Sequence, residues 1–120
     1  LISSSIDMTG QDLLLLQFRH MIDHYSGNYQ IGVAYRVNGG AWTNAWTKTV
    51  TTSIPAELVY VPIADAAINS SDFQFCIFFS GSSYNINSWY LDDIILTIPA
   101  ELDASLAEIN VPTYFLVVKM

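Results

Sequence analysis

The chain has 120 residues, of which 52% are hydrophobic and only 12% are charged. A chain of this length buries roughly two thirds of its unfolded surface, which is enough for one self-sufficient core. Eleven acidic residues against four Lys and Arg give a net charge of -7, so a nucleic-acid backbone or an anionic membrane would be repelled. No run of about 18 apolar residues occurs, so no membrane-spanning helix is expected. These totals exclude nucleic acid as a partner, and the low charge predicts a surface rich in Ser, Thr, Asn, Gln and Tyr.

The first half of the chain alternates apolar and polar side chains with the period of two that is typical of β-strands. Even positions form the apolar face from Leu13 to Ile22, and odd positions form it from Tyr29 to Val37. Asp23 to Asn28 is predicted to be the turn between them. Asn38-Gly39 follows, and because both residues readily adopt positive φ, it predicts a tight hairpin into a strand from Ala41 to Thr47.

The second half contains three further predicted strands with irregular connections. Thr47 to Ser53 is rich in Thr, and Pro55 limits ladder hydrogen bonds, so the chain is expected to cross between sheets or to run along an edge there. The predicted strands are Leu58 to Pro62, Phe73 to Phe79 and Trp89 to Ile98. The second of these is expected to be central in its sheet and buried on both faces. A helical turn at 63–68 and a nine-residue polar loop at 80–88 are predicted to connect them.

These elements predict an antiparallel β-sandwich over residues 1–98. Residues 99–105 read as a polar linker, and 106–120 as two short strands separated by Pro112. Twenty residues cannot hold a core of their own. The tail is therefore expected to form the opening strands of a second domain or a strand exchanged with a neighbouring chain, and it resembles the opening of an Ig-like domain. Cys76 is the only cysteine, which excludes a disulfide within the chain and predicts a small buried side chain.

Adjacent carboxylates stand in the middle of the last predicted strand, at Asp92 and Asp93. Neighbours in a strand face opposite ways and both faces here are apolar, so one carboxylate is expected to point inward. A buried carboxylate needs hydrogen bonds, an ion pair or a metal. Because Ca²⁺ prefers carboxylate oxygens, Asp92 and Asp93 are candidate calcium ligands, with Asp7 and Asp23 the first further ligands to try. The alternative is that Asp92 accepts hydrogen bonds and Asp93 is partly solvated at one end of the sandwich.

Four aromatic residues fall in or beside predicted loops: Trp42, Trp46, Tyr84 and Tyr25. A flat ring with a polar tip can stack on a sugar or anchor a protein partner, so these are candidate ligand-binding residues. The alternative for the two tryptophans is packing in the core. Evidence for catalysis is weaker, because His20 and His24 would lie about 13 Å apart along a strand and no nucleophile or metalloprotease motif occurs. The chain is therefore not expected to be an enzyme.

Three motifs occur in an order that resembles a known family: Ile6-Asp7-Met8-Thr9-Gly10, then Asn38-Gly39-Gly40-Ala41-Trp42, then Trp89-Tyr90-Leu91-Asp92-Asp93-Ile94. Together they resemble the MAM-type and cleaved-adhesin jelly rolls of extracellular proteins. The resemblance implies a jelly roll of the concanavalin or galactose-binding kind, with further strands before Leu1 and often a structural calcium. The paired cysteines of animal MAM domains are missing, which favours the bacterial branch and a secreted or cell-surface protein.

The function predicted from these features is a non-catalytic adhesion or spacer module within a larger extracellular protein. Its expected partners are a glycan or a cell-surface protein, together with neighbouring domains of the same polypeptide or identical subunits. Two alternatives remain. One is a structural subunit of a filament or stalk built by β-strand exchange. The other is an accessory domain of a secreted protease or glycosidase.

Overall fold

Seven strands make up most of the part of the chain that the computed structural model describes, residues 1–99 and 114–118. The strands are β1 (Leu13–His24), β2 (Tyr29–Val37), β3 (Thr43–Val50), β4 (Ile54–Ala64), β5 (Phe73–Ser80), β6 (Ile86–Ile98) and β7 (Tyr114–Val118). Single turns of 3₁₀ helix at Ala66–Ile68 and Ser83–Asn85 precede and follow β5. Every pairing between these strands is antiparallel.

The strands form two sheets. The large sheet has the order β4-β1-β6-β7, and the small sheet has the order β3-β2-β5. The apolar faces of the two sheets bury a common core, in which the largest fully buried side chains include Phe18, Phe73 and Phe75. The predicted antiparallel β-sandwich is confirmed.

The alternation of apolar and polar residues in β1 and β2 correctly predicts which side chains of these strands are buried. On β1 the side chains of Leu14, Leu16, Phe18, His20 and Ile22 are all buried. On β2 the side chains of Tyr29, Ile31, Val33 and Tyr35 are buried as well. The predicted hairpin is also present, since Asn38 and Gly39 have φ of 53° and 66° and the Gly40 N–H donates to the Val37 carbonyl at 2.9 Å. The following strand begins at Thr43 rather than Ala41.

The strand expected from Leu58 to Pro62 is longer, since β4 runs from Ile54 to Ala64 and includes Pro55. Its place as the outermost strand of the large sheet explains why Pro55 is tolerated, because an edge strand leaves one row of backbone groups unpaired. Since β3 belongs to the small sheet, the chain crosses between sheets over residues 51–53. The chain was expected either to cross between sheets or to run along an edge here; it does cross, although the connection is shorter than the predicted 47–53 because β3 continues to Val50.

The prediction that Phe73 to Phe79 is a central strand was wrong. The strand β5 is the last of the three in the small sheet, with β2 on one side. An N-terminal segment, residues 1–6, lies along its other side through isolated bridges at Ile2–Cys76 and Ile6–Phe73. The Ser3 N–H donates to the Phe75 carbonyl at 2.9 Å. This segment covers the edge of β5 and supplies hydrogen-bond partners for its backbone groups.

The last described strand, β7, pairs with β6 from Ile94–Val118 to Ile98–Tyr114. It coincides with the second strand expected in the tail, at 113–118. The predicted linker beyond Pro99 and the predicted strand at 106–111 lie outside the described residues. The division of the tail from the sandwich remains a prediction.

Candidate functional site

The structure brings Tyr25 and Tyr84 together at one end of the sandwich. Tyr25 belongs to the turn between β1 and β2, and Tyr84 to the 3₁₀ turn before β6. Their ring centroids are 5.3 Å apart and the ring planes meet at 86°. The two residues remain 55% and 71% exposed, so both rings are accessible from solvent. We call it the Tyr25–Tyr84 pair.

Asn85 joins the two loops that carry the pair. Its backbone carbonyl accepts hydrogen bonds from the N–H groups of Tyr25 at 3.0 Å and Ser26 at 3.1 Å. Its side-chain oxygen accepts a third bond from the Ser26 hydroxyl at 3.0 Å. Gly27 has a φ of 63°, and a Cβ there would lie 2.9 Å from the Asn85 amide nitrogen. The absence of a side chain at Gly27 therefore lets the two loops approach, and the tyrosine backbones are held in place before any ligand arrives.

The tryptophans lie elsewhere. Trp42 follows the β2–β3 hairpin at the opposite end of the sandwich, half-buried, with the Arg36 guanidinium 4.4 Å from its ring centroid. Trp46 faces inward from β3 and packs edge-on against Phe18, with ring centroids 6.0 Å apart. The four predicted aromatic residues thus fall into one exposed pair and two tryptophans that contact other side chains of the sandwich.

A polar chain runs through the core beside Trp46, and the sequence pattern did not reveal it. The Trp89 indole N–H donates to His20 Nδ1 at 3.1 Å. Because an indole N–H can only donate, Nδ1 accepts and the proton of the neutral ring resides on Nε2. The His20 side chain is fully buried, and its Nε2 lies 3.3 Å from Glu57 Oε2 without the alignment of a hydrogen bond. Glu57 in turn lies 3.9 Å from Lys48 of the other sheet.

The prediction of an inward carboxylate at Asp92 or Asp93 was wrong. Gln17 pairs with Ile95 while Arg19 pairs with Asp92, so Phe18 alone faces two residues of β6. This β-bulge places Asp93 at a φ of 52° and turns its half-exposed side chain towards Arg19, with Oδ2 3.9 Å from Nε. Asp92 is exposed, and its Oδ1 accepts the Asp93 N–H at 2.8 Å.

The other two proposed calcium ligands lie in separate surroundings. Asp7 accepts bonds from the hydroxyl and the backbone N–H of Thr9, at 2.6 and 3.0 Å, which together lower the pKa of the Asp7 carboxyl. Asp23 is exposed at the end of β1, opposite Ser88. Within residues 1–99 and the described part of the tail, no three His, Cys, Asp or Glu side chains are grouped to hold a metal ion. Calcium binding stays a prediction, although the buried carboxylate that motivated it is not observed.

No helix in the described residues is long and apolar enough to cross a membrane. Comparisons with protein-family models, with curated proteins and with solved structures found no match. The sequence resemblance to MAM-type and cleaved-adhesin domains therefore stays a prediction.

Proposed function

We propose that this chain is a non-catalytic adhesion module of a secreted or cell-surface protein and that it binds through the Tyr25–Tyr84 pair. The observation that carries the proposal is the exposure of two perpendicular rings on backbones fixed by Asn85. Large exposed aromatic groups on a rigid support favour binding, because little conformational freedom is lost when a ligand arrives.

The chemistry around the pair suits a neutral ligand with apolar faces and hydroxyl edges. Ring faces stack on the C–H faces of sugars, while Ser26 and Asn85 lie beside the rings with hydrogen-bonding groups. Asp23 lies two residues before Tyr25, and the chain carries a net charge of -7, which disfavours acidic sugars. A neutral glycan or a protein surface that exposes one is the ligand class we propose. The resemblance to bacterial adhesin domains supports the same assignment.

A glycan array probed with the full chain tests this proposal. Tyr25→Ala and Tyr84→Ala are each expected to weaken binding about tenfold or more, the loss usual for an aromatic anchor. Tyr60→Ala is the matched control, because Tyr60 is 57% exposed but lies on β4, away from the pair. Binding that survives both loop substitutions would refute the role of the pair. If no glycan or cell-surface protein is bound at all, the module is a spacer or an accessory domain of a larger enzyme.

A second candidate is a structural subunit assembled by strand exchange. The position of β7 favours it, since β7 lies at the outside of the large sheet and joins β6 through five residue pairs. A strand at the outside of a sheet is the kind of element that chains exchange.

A cysteine cross-link separates exchange from pairing within one chain. Thr97 and Phe115 are direct partners across β6 and β7, so Thr97→Cys with Phe115→Cys is expected to form a disulfide. Dimers or ladders on a non-reducing gel would support exchange, whereas cross-linked monomer alone would refute it. The single variant Thr97→Cys is the control for unspecific coupling.

A further inference from the structure

A groove lies on the outer face of the large sheet, and its lining includes neither Tyr25 nor Tyr84. Met21 on β1 and Tyr90 on β6 are direct cross-strand partners, and the two residues are 39% and 57% exposed. Two cavities of about 200 and 460 Å³ share these residues as lining. We call this surface the Met21–Tyr90 groove. A methionine and a tyrosine exposed side by side on a concave surface offer a partner an adaptable apolar contact area.

The groove arises from an irregularity in the edge strand β4. His20 pairs with Glu57, but Ile22 pairs with Ile54, so both Pro55 and Ala56 fall opposite Met21. The extra residue bends β4 at this bulge. Pro55 and Ala56 both line the groove, and neither side chain is long enough to fill it. The bend of β4 and the short side chains at Pro55 and Ala56 therefore contribute to the concavity.

The groove has a carboxylate at each end. Asp92 lines the smaller cavity and Asp23 the larger one, and both side chains are exposed. Arg19 also lines the smaller cavity, but its guanidinium is directed to Asp93 at 3.9 Å. Asp23 and Asp92 form no salt bridge within the described part of the chain. Asp92 lies opposite Arg19 of β1, and Arg19 precedes Asp23 by four residues. The two carboxylates are therefore about 13 Å apart along the strand direction.

We infer that the Met21–Tyr90 groove binds an extended basic segment of a partner protein, in which an apolar side chain is flanked two positions away on each side by Lys or Arg. In an extended chain, residues i, i+2 and i+4 point the same way and span about 13 Å, the separation of Asp23 and Asp92. The central side chain packs on Met21 and Tyr90, while the outer two pair with the carboxylates. The acidic net charge of the chain steers such a segment towards it.

A synthetic peptide titrated into the full chain tests this inference. The probe is acetyl-Ser-Lys-Ser-Leu-Ser-Lys-Ser-amide, followed through backbone amide shifts in NMR spectra of the ¹⁵N-labelled protein. The largest shifts are expected at Met21, Tyr90 and their neighbours, with saturation at low ionic strength and weaker binding in about 1 M salt, where charges are screened beyond about 3 Å. A peptide with Glu in place of both Lys is expected not to bind.

Substitutions then separate the two parts of the groove. Tyr90→Ala is expected to weaken binding about tenfold, and Asp23→Asn and Asp92→Asn roughly twofold to fivefold each. Tyr60→Ala and Asp12→Asn are the matched controls, since both residues are exposed and neither lines the groove. Both aspartate variants keep the shape of the side chain, so they test the inference even if Tyr90→Ala disturbs the fold.

The inference is overturned if the lysine peptide gives no saturable shifts, if the glutamate peptide binds equally well, or if the aspartate variants bind as the parent does. None of these outcomes bears on the Tyr25–Tyr84 pair, whose own variants are expected to leave peptide binding unchanged.

Discussion

The phenol of Tyr35 donates a hydrogen bond to Asp65 Oδ2 at 2.7 Å and thereby joins the middle strand of the small sheet to the end of β4 in the large sheet. The other carboxylate oxygen of Asp65 accepts the Ala67 N–H at 2.9 Å and caps the 3₁₀ turn Ala66–Ile68. The backbone bond from Ala67, followed by the bond from Tyr35, lowers the pKa of the Asp65 carboxyl. Burial, followed by the nearby Asp65, raises the pKa of the Tyr35 phenol.

Tyr35→Phe is expected to lower the melting temperature by a few degrees, because it removes the bond but keeps the ring in the core. The pKa of Tyr35 is raised in the folded state, so its contribution is complete below the usual value of 10.0 and is lost as the pH rises further. The pKa of Asp65 is lowered, so its contribution is complete above 3.8 and is lost as the pH falls. Melting curves should therefore differ most between the parent and Tyr35→Phe at intermediate pH. A difference that persists unchanged above pH 10.0 would contradict this assignment.

The bulge at Asp93 predicts an unusual order of substitutions. Asp93→Gly is expected to be close to neutral, whereas Asp93→Val is expected to cost about 1–2 kcal/mol, because a β-branched residue is strained at a φ of 52°. Both variants lose the contact with Arg19 equally, so their difference in urea denaturation measures the backbone effect alone. If valine is tolerated as well as glycine, the left-handed conformation at this position is wrong.

The hydrogen bond from Trp89 to His20 is expected to be strongly coupled, because both atoms lie inside the sandwich. Trp89→Phe leaves a buried His20 Nδ1 without its donor, which is expected to cost about 1–3 kcal/mol beyond the loss of ring size. In a double-mutant cycle with His20→Phe, we expect a coupling energy of about 1 kcal/mol from urea denaturation. Glu57→Gln is the control and should change stability by less than about 1 kcal/mol, because Glu57 is partly exposed and poorly aligned. Additive single variants would show that the bond contributes nothing specific.

Cys76 is expected to react slowly with thiol reagents in the folded protein. Burial raises the pKa of its thiol, and the bridge to Ile2 places the N-terminal segment beside it. Ser3→Pro removes the N–H that bonds the Phe75 carbonyl at 2.9 Å and the hydroxyl that accepts the Phe75 N–H at 3.1 Å, so labelling should become faster by more than the accompanying fall in the midpoint of urea denaturation accounts for. Ser4→Ala is the control, since Ser4 is exposed. Equal labelling rates in all three proteins would mean that the segment does not protect the thiol.

Calcium binding is tested by melting the protein with and without EDTA. A structural calcium predicts a melting temperature several degrees lower in EDTA, restored by excess Ca²⁺ but not by Mg²⁺. An identical transition in both buffers would remove calcium from the description of this protein.

Much of the fold followed from short-range patterns, since β1 and β2 alternate cleanly and Asn38-Gly39 specifies its turn. The bulge in β6 did not follow from the predicted pattern, although the sequence of the strand contains a signal for it. The inward-facing residues have odd numbers at Trp89 and Leu91 and an even number at Ile94. This shift in the alternation requires one extra residue in the strand. Reading the strand as uninterrupted wrongly placed one carboxylate inside.

The candidate site was harder to predict because it depends on contacts between distant parts of the chain. The sequence places Tyr25 and Tyr84 in or beside predicted loops, but nothing local indicates that the two rings meet. Asn85 carries no local signal, because its role depends on hydrogen bonds from its carbonyl to the distant residues Tyr25 and Ser26. The Met21–Tyr90 groove likewise depends on the pairing of β4 with β1, which the sequence does not specify.

The attachment of both loops to Asn85 restricts how binding preference can change by mutation or design. Ser26 and Asn85 are 59 positions apart in the sequence, yet the conformation of each loop depends on that of the other. A library that randomises the β1–β2 turn alone would mostly remove the hydrogen bonds between the two loops, and the two tyrosine rings would lose their fixed arrangement. New binding specificities are therefore expected to arise from paired changes in both loops, with Asn85 and Gly27 left unchanged.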